Sequence, residues 1–146
     1  MLPLSRKSLL AIEAVLDVAL HSRPDPVQAR EITERQKVPQ RYLEQIMQAL
    51  VRADILRGVR GPRGGYRLAR ERRRISIDEI VRVISVLESP EDQATVRSDI
   101  GKQVVAPFCD KLTEQLMTAL GKTTIEDLCK DVSASQAPSQ AGDFTI

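Results

Sequence analysis

Two groups of side chains in this 146-residue chain have chemistry to offer, and they adjoin one another. Between Pro39 and Ala53, the residues Arg41, Glu44, Gln45, Gln48 and Arg52 recur at the spacing of one helical face. Directly after them, residues 52–74 hold nine arginines against only Asp54 and Glu71. Arg57, Arg60, Arg63 and Arg67 in that run surround the glycines of GPRGG, residues 61–65. The first group suits base edges: arginine fits guanine O6 and N7, glutamine fits adenine N6 and N7, and glutamate accepts from cytosine N4. The second suits a phosphate backbone, and an arginine at a hairpin tip can enter a narrow minor groove. A polar stripe on an amphipathic helix is ordinarily just solvated. A basic hairpin following at once changes that reading, because solvation alone leaves the arginine density unexplained.

The elements that must position these groups follow from periodicity and punctuation. Residues 5–22 read as a helix, with Leu9, Ile12, Leu16, Ala19 and Leu20 on one side and Arg6, Glu13, Asp17 and His21 on the other. The two prolines of SRPDP (22–26) end it, and a short helix anchored by Ile32 spans about 28–36. Pro39 suits the first turn of a third helix, about 39–53, whose buried stripe is Leu43, Ile46, Met47 and Leu50. Residues 55–59 and 66–68 are strand candidates around the glycine-rich turn, and Gly64 and Gly65 leave room for a backbone to approach a sugar-phosphate chain.

Ser76 and Glu79 have capping-box spacing and open a helix to about Leu87. A polar loop (88–93) precedes a long helix, about 97–120, with Ile100, Val104, Phe108, Leu112, Leu116 and Leu120 on one stripe. Pro107 predicts a kink there, or a helix that begins there. Gly121 is a C-cap candidate, and Thr123 or Thr124 opens a last short helix through Cys129. The expected fold is mostly α with a small β-hairpin. A winged helix-turn-helix occupies 1–87, a loop 88–96, a dimerisation helix with a short terminal helix 97–132, and a disordered tail 133–146. The long stripe predicts pairing with a second copy; folding back on the same chain is the alternative.

Charge is divided along the chain. Residues 1–87 carry 17 Lys/Arg against 10 Asp/Glu, and residues 88–146 carry 5 against 10, which together return the net +2. A basic front meeting a polyanion and an acidic rear with another task fit this division. Only Cys109 and Cys129 are present, so no disulfide scaffold is expected and a reducing cytoplasm is the expected location. Glu13 and Asp17 interrupt the apolar start, which reads as neither a signal peptide nor a membrane span. GPRGG lacks the Gly-Lys-Ser/Thr of a nucleotide-binding loop, and no nucleophile–base pair or metal constellation can be assembled, so an enzyme is not expected. Disordered arginine–glycine RNA-binding tracts are repetitive, whereas this segment is a single copy flanked by strand-like residues.

YLEQIMQAL, LRGVRGPRGGYRLAR and ISIDEIVRVI together resemble the Rrf-type family of bacterial winged-helix transcription regulators. The similarity runs from about Leu4 to Val132, and GPRGGYRLAR is its most specific part. The resemblance implies a homodimer joined through the long helix, two winged domains on a palindromic operator, and repression. It places the base-reading segment on Pro39, Gln40, Arg41, Tyr42, Glu44 and Gln45, with Tyr42 near the phosphate backbone. The wing falls on Arg60–Gly65, with Arg57, Arg60, Arg63, Gly64, Gly65 and Arg67 as its contact candidates.

Cluster-binding relatives carry three cysteines in the loop before the long helix. Here residues 88–96 hold neither cysteine nor histidine, so no iron–sulfur cluster or other cofactor is expected. Cys109, at the edge of the apolar stripe, is a candidate redox switch, with a small buried hydrophobe as the plainer reading. The expected function is a sequence-specific regulator of transcription that binds double-stranded DNA, its affinity controlled by a ligand or by oxidation. The alternative is a signal-responsive interaction module whose acidic C-terminal half binds a partner enzyme.

Overall fold

A computed structural model describes residues 4–88 and 96–136. Its elements run α1 (Arg6–His21), α2 (Ala29–Gln36), α3 (Gln40–Arg52), β1 (Leu56–Val59), β2 (Gly65–Leu68), a 3-10 turn (Arg72–Arg74), α4 (Ile77–Ser85), α5 (Ala106–Gly121) and α6 (Ile125–Ser135). Mostly helical with one antiparallel hairpin, this is the architecture that the periodicities predict.

The helix-turn-helix forms because its caps and turn are written locally. Gln28 N–H donates to Glu31 Oε2 at 2.7 Å and starts α2. Lys37 ends it in the left-handed region at φ 55°, which turns the chain sharply enough to bury Val38 and start α3 after Pro39. Ile32, Leu43, Ile46, Met47 and Leu50 are then all sealed from solvent. Together with Ile55, Leu56, Ile75, Ile80, Val81 and Ile84 they make a single aliphatic core. Each such side chain contributes on the order of 1.5–3 kcal/mol by leaving water.

The stripe predicted for α1 is corrected. Its buried residues are Ser8, Ala11, Ala14, Val15, Asp17 and Val18, while Leu9 is 50 % and Leu20 37 % exposed. This helix touches α2, α3, α4, α6 and β2. Against so many neighbours the small residues Ala11 and Ala14 set the closest approach, and apolar residues nearly all round the helix leave its facing undetermined by pattern alone. Asp17, expected on the solvent side, is wholly buried.

Across the hairpin, Leu56 pairs with Leu68, Arg57 with Arg67, Gly58 with Tyr66 and Val59 with Gly65. A third short piece, unforeseen in the sequence, joins its edge. Val27 N–H donates to the Tyr66 carbonyl at 3.0 Å, and Tyr66 N–H to the Val27 carbonyl at 2.7 Å. The α1–α2 connection is thereby tied to the hairpin.

The Ser76–Glu79 capping box is present, with Ser76 N–H donating to Glu79 Oε2 at 3.0 Å. The same point anchors the C-terminal part: Ile77 N–H donates to the Thr123 carbonyl and Ile125 N–H to the Ile75 carbonyl, each at 2.9 Å. Pro107 lies in the first turn of regular α5, the second of the two outcomes expected of it. Gly101–Val105 form a wider π-helical turn in which Ala106 N–H donates to the Gly101 carbonyl, and regular α5 starts there. Proline has no N–H to give, and its ring clashes with a carbonyl four residues back, so a local change of register accommodates it. The last helix runs through Ser135, beyond the Ser133 at which a disordered tail is expected; Thr124 and Asp127 cap its start reciprocally, and Gln136 N–H donates to the Val132 carbonyl at its end. The remainder of that tail, 137–146, and loop residues 89–95 lie outside the described residues.

Candidate nucleic-acid interface

Helix α3 presents Gln40, Arg41, Glu44, Gln45, Gln48 and Arg52 as exposed residues, with Leu43, Ile46, Met47 and Leu50 locked in the core behind them. Its outward face therefore cannot rotate without unpacking the centre of the molecule. Pro39 is the N-cap residue and is partly buried. Tyr42 is half-buried against the core. The centre of its ring lies 5.7 Å from Lys7 Nζ and 5.7 Å from the Arg41 guanidinium carbon. Positive charge is thus gathered at the N-terminal end of α3, where helices of this type meet base edges.

Helix α3 packs on β1, so reader helix and hairpin are neighbours. The hairpin tip is built by glycine. Gly61 takes φ 110°, a conformation L side chains rarely adopt, and Gly64 N–H donates to its carbonyl at 2.9 Å. Bulk is also excluded at Gly64 and Gly65 for reasons internal to the fold. A Cβ on Gly64 would lie 2.3 Å from the Val59 carbonyl oxygen, and one on Gly65 2.4 Å from that of Val27.

The nine arginines of residues 52–74 divide into two groups. Among the described residues, the guanidinium groups of Arg57, Arg60 and Arg63 make no hydrogen bond or ion pair, and all three residues are exposed. Arg67 differs. Its Nη1 and Nη2 donate to the backbone carbonyls of Ser22 and Pro24, each at 2.5 Å. Its guanidinium is engaged in holding the hairpin to the α1–α2 connection, not extended as the phosphate contact expected of it. Arg70 is likewise structural, donating to the Asp54 and Arg74 carbonyls and to Glu79 Oε1, each at 3.1 Å. Sequence reasoning lacked any signal for this division, since all nine share one composition-rich stretch.

Beneath the reader helix, α1 and α2 are joined by an ion pair. Arg35 Nε and Nη2 donate to Asp17 Oδ2 and Oδ1 at 2.9 and 2.8 Å, and Gln36 Nε2 donates to Oδ2 at 2.9 Å. Burial pushes the Asp17 carboxyl up, but the hydrogen bonds from Arg35 and Gln36 and the Arg35 charge more than reverse it. The group stays below the ordinary aspartate range and remains ionised.

Cys109 is half-buried on α5 and Cys129 is buried on α6. The whole chain offers two cysteines and one histidine, and those cysteines lie on separate helices. That donor set, split between separate helices, does not supply the closely spaced thiolates that hold an iron–sulfur cluster. No helix among the described residues is long and apolar enough to cross a membrane.

A helix-turn-helix with an exposed polar reader face and an arginine-bearing hairpin packed beside it defines a winged-helix DNA-binding regulator of transcription. The chain belongs to the Rrf2 family, described as iron-dependent transcriptional regulators, whose model matches residues 4–131. It is 35 % identical over 133 residues to the HTH-type transcriptional regulator IscR of Xenorhabdus nematophila, covering 88 % of this chain and 79 % of that protein. Among solved structures it is similar to T. potens IscR, with a TM-score of 0.73 and 33 % identity over 91 % of this chain and 90 % of that one. CymR, the global cysteine regulator of B. subtilis, superposes with a TM-score of 0.68 at 27 % identity, covering 89 % of this chain and 98 % of that one. These relatives are regulators rather than enzymes.

Proposed function

We propose that the protein is a cytoplasmic, homodimeric repressor that binds a palindromic operator, its affinity subject to a ligand or to oxidation. In this reading residues 1–87 form the DNA-binding part and residues 97–132 the dimerisation part. Arg41, Glu44 and Gln45 choose the sequence from the major groove, Pro39 and Gln40 set the approach of the helix, and Tyr42 meets the backbone. Arg57, Arg60 and Arg63 supply affinity with little discrimination, while Gly64 and Gly65 keep the tip thin. The observation that carries this is the side-by-side placement of an exposed Arg41–Glu44–Gln45 face and unpaired hairpin arginines.

Support for the dimer comes from α5 and the turn before it. Ile100, Val104, Phe108 and Leu112 are 72, 62, 59 and 39 % exposed, whereas Met117 and Leu120 further along pack against the core. A second copy related by two-fold symmetry would cover that bare stripe with an identical one, and would set the two reader helices for paired half-sites.

Anisotropy of a labelled mixed-sequence duplex, titrated with the full chain at low ionic strength, tests the reading. Binding that weakens steeply with added salt is expected. Absence of binding to any duplex would remove the function.

A further inference from the structure

One charged pocket lies beside the reader helix, and of its residues only Tyr42 has a part in the function proposed above. It encloses about 210 Å³ and is lined by Ser5, Arg6, Lys7, Leu10, Tyr42 and Glu88. Lys7 belongs to α1 and Tyr42 to α3, yet the ammonium lies 5.7 Å from the ring centre, so the pocket bridges two elements. Among the described residues no ion pair engages Arg6 or Lys7. Glu88 lines the same space, and its Oε1 is closed to solvent with no hydrogen-bond partner among the described residues. Among the described residues, two cations and a carboxylate thus share one pocket without pairing.

We propose that this pocket is a phosphate-binding subsite of the DNA interface. Arg6 and Lys7, beside Tyr42, hold one backbone phosphate flanking the bases that α3 reads, and the Glu88 carboxylate opposes it. The inference rests on the DNA-binding reading above. Lys7 is half-buried, with its ammonium 5.7 Å from the centre of the Tyr42 ring, so it loses less freedom on binding than a fully exposed lysine would. The pocket sits at the same end of α3 as Arg41, so a duplex seated on that end brings its phosphates to these cations.

The test uses the full chain and a labelled mixed-sequence duplex, read by anisotropy across a series of salt concentrations. Lys7→Ala should reduce the slope of log affinity against log salt by about one unit, while Lys130→Ala on α6 leaves it unchanged. Glu88→Gln should tighten binding about three- to ten-fold, by removal of one like charge near the phosphate. The same neutralisation at exposed Glu114 should change affinity by less than about two-fold. If wild type binds while Lys7→Ala keeps its slope, or Glu88→Gln keeps its affinity, the subsite is wrong and the DNA-binding reading stands. Should Lys7→Ala melt early, Glu88→Gln alone decides. Wild type that binds no duplex overturns both.

Discussion

The carboxylate of Asp17 has both oxygens engaged by Arg35, from Nε at 2.9 Å and from Nη2 at 2.8 Å, although the two residues lie on successive helices. The partners are unequally placed. Asp17 is wholly buried, while the Arg35 side chain keeps 35 % of its surface exposed. A released guanidinium can reach water; a released carboxylate cannot.

That inequality predicts asymmetric damage. Arg35→Ala should cost about 3–5 kcal/mol, since it strands a buried charge on Gln36 alone. Asp17→Asn should cost about 1–3 kcal/mol, because the freed arginine is solvated. Urea midpoints for the two variants give the comparison, and equal losses would mean that the pair is not buried as described.

The same pair sets a dependence on acid. The folded carboxyl lies below its ordinary value, so the stabilisation is fully present above the unfolded aspartate value and is lost as pH falls through the folded one. The stability gap between wild type and Asp17→Asn should therefore be constant near neutrality and close below about pH 4. Denaturation midpoints at a series of pH values would show it; a gap that widens in acid has the wrong sign.

Arg57 and Arg67 are register partners across the hairpin, yet only Arg67 is engaged by backbone carbonyls. Arg67→Ala should lower stability by about 1.5–3 kcal/mol through loss of charge-assisted hydrogen bonds, measured by thermal melting. Arg63→Ala should leave the melt unchanged, weaken all duplexes alike and reduce the salt slope by about one unit. A changed operator preference in Arg63→Ala would show that the tip reads sequence.

Gln45→Ala should relax preference at one base pair per half-site by about 1–3 kcal/mol, scored by selection from a random duplex pool. Unaltered selectivity would remove Gln45 from the reading face.

Phe108→Asp places a charge on the bare α5 stripe, where Phe108 is 59 % exposed. Sedimentation should show a shift to monomer together with weaker operator binding, while melting of the monomer core changes little. A variant that remains dimeric would put the interface elsewhere.

Much of this was legible along the chain, because the signals are local. Buried Leu43, Ile46, Met47 and Leu50 repeat at helical spacing, Pro39 and the Ser76–Glu79 box mark helix starts, and the glycines of 61–65 mark a turn. Each depends on neighbours within a few residues. The face of α1 was not legible, since its Leu, Ile, Val and Ala residues encircle the helix and five elements compete for contact. The edge pairing of Val27 with Tyr66 was hidden because it joins residues 39 apart that lack a shared period.

By itself, then, the order of residues determined the helices, the turn between α2 and α3, the hairpin and the outward polar stripe, since hydrophobic period, caps and turn residues act at short range. Tertiary structure alone decided which charges remain free. Arg63 and Arg67 are the same residue type four positions apart, yet among the described residues one stands unpaired at the tip while the other closes on the Ser22 and Pro24 carbonyls. Asp17 and Glu13, both acidic residues of α1, are likewise separated by what the fold brings to them: a buried charge survives where distant donors converge on it, and that convergence is a property of three dimensions.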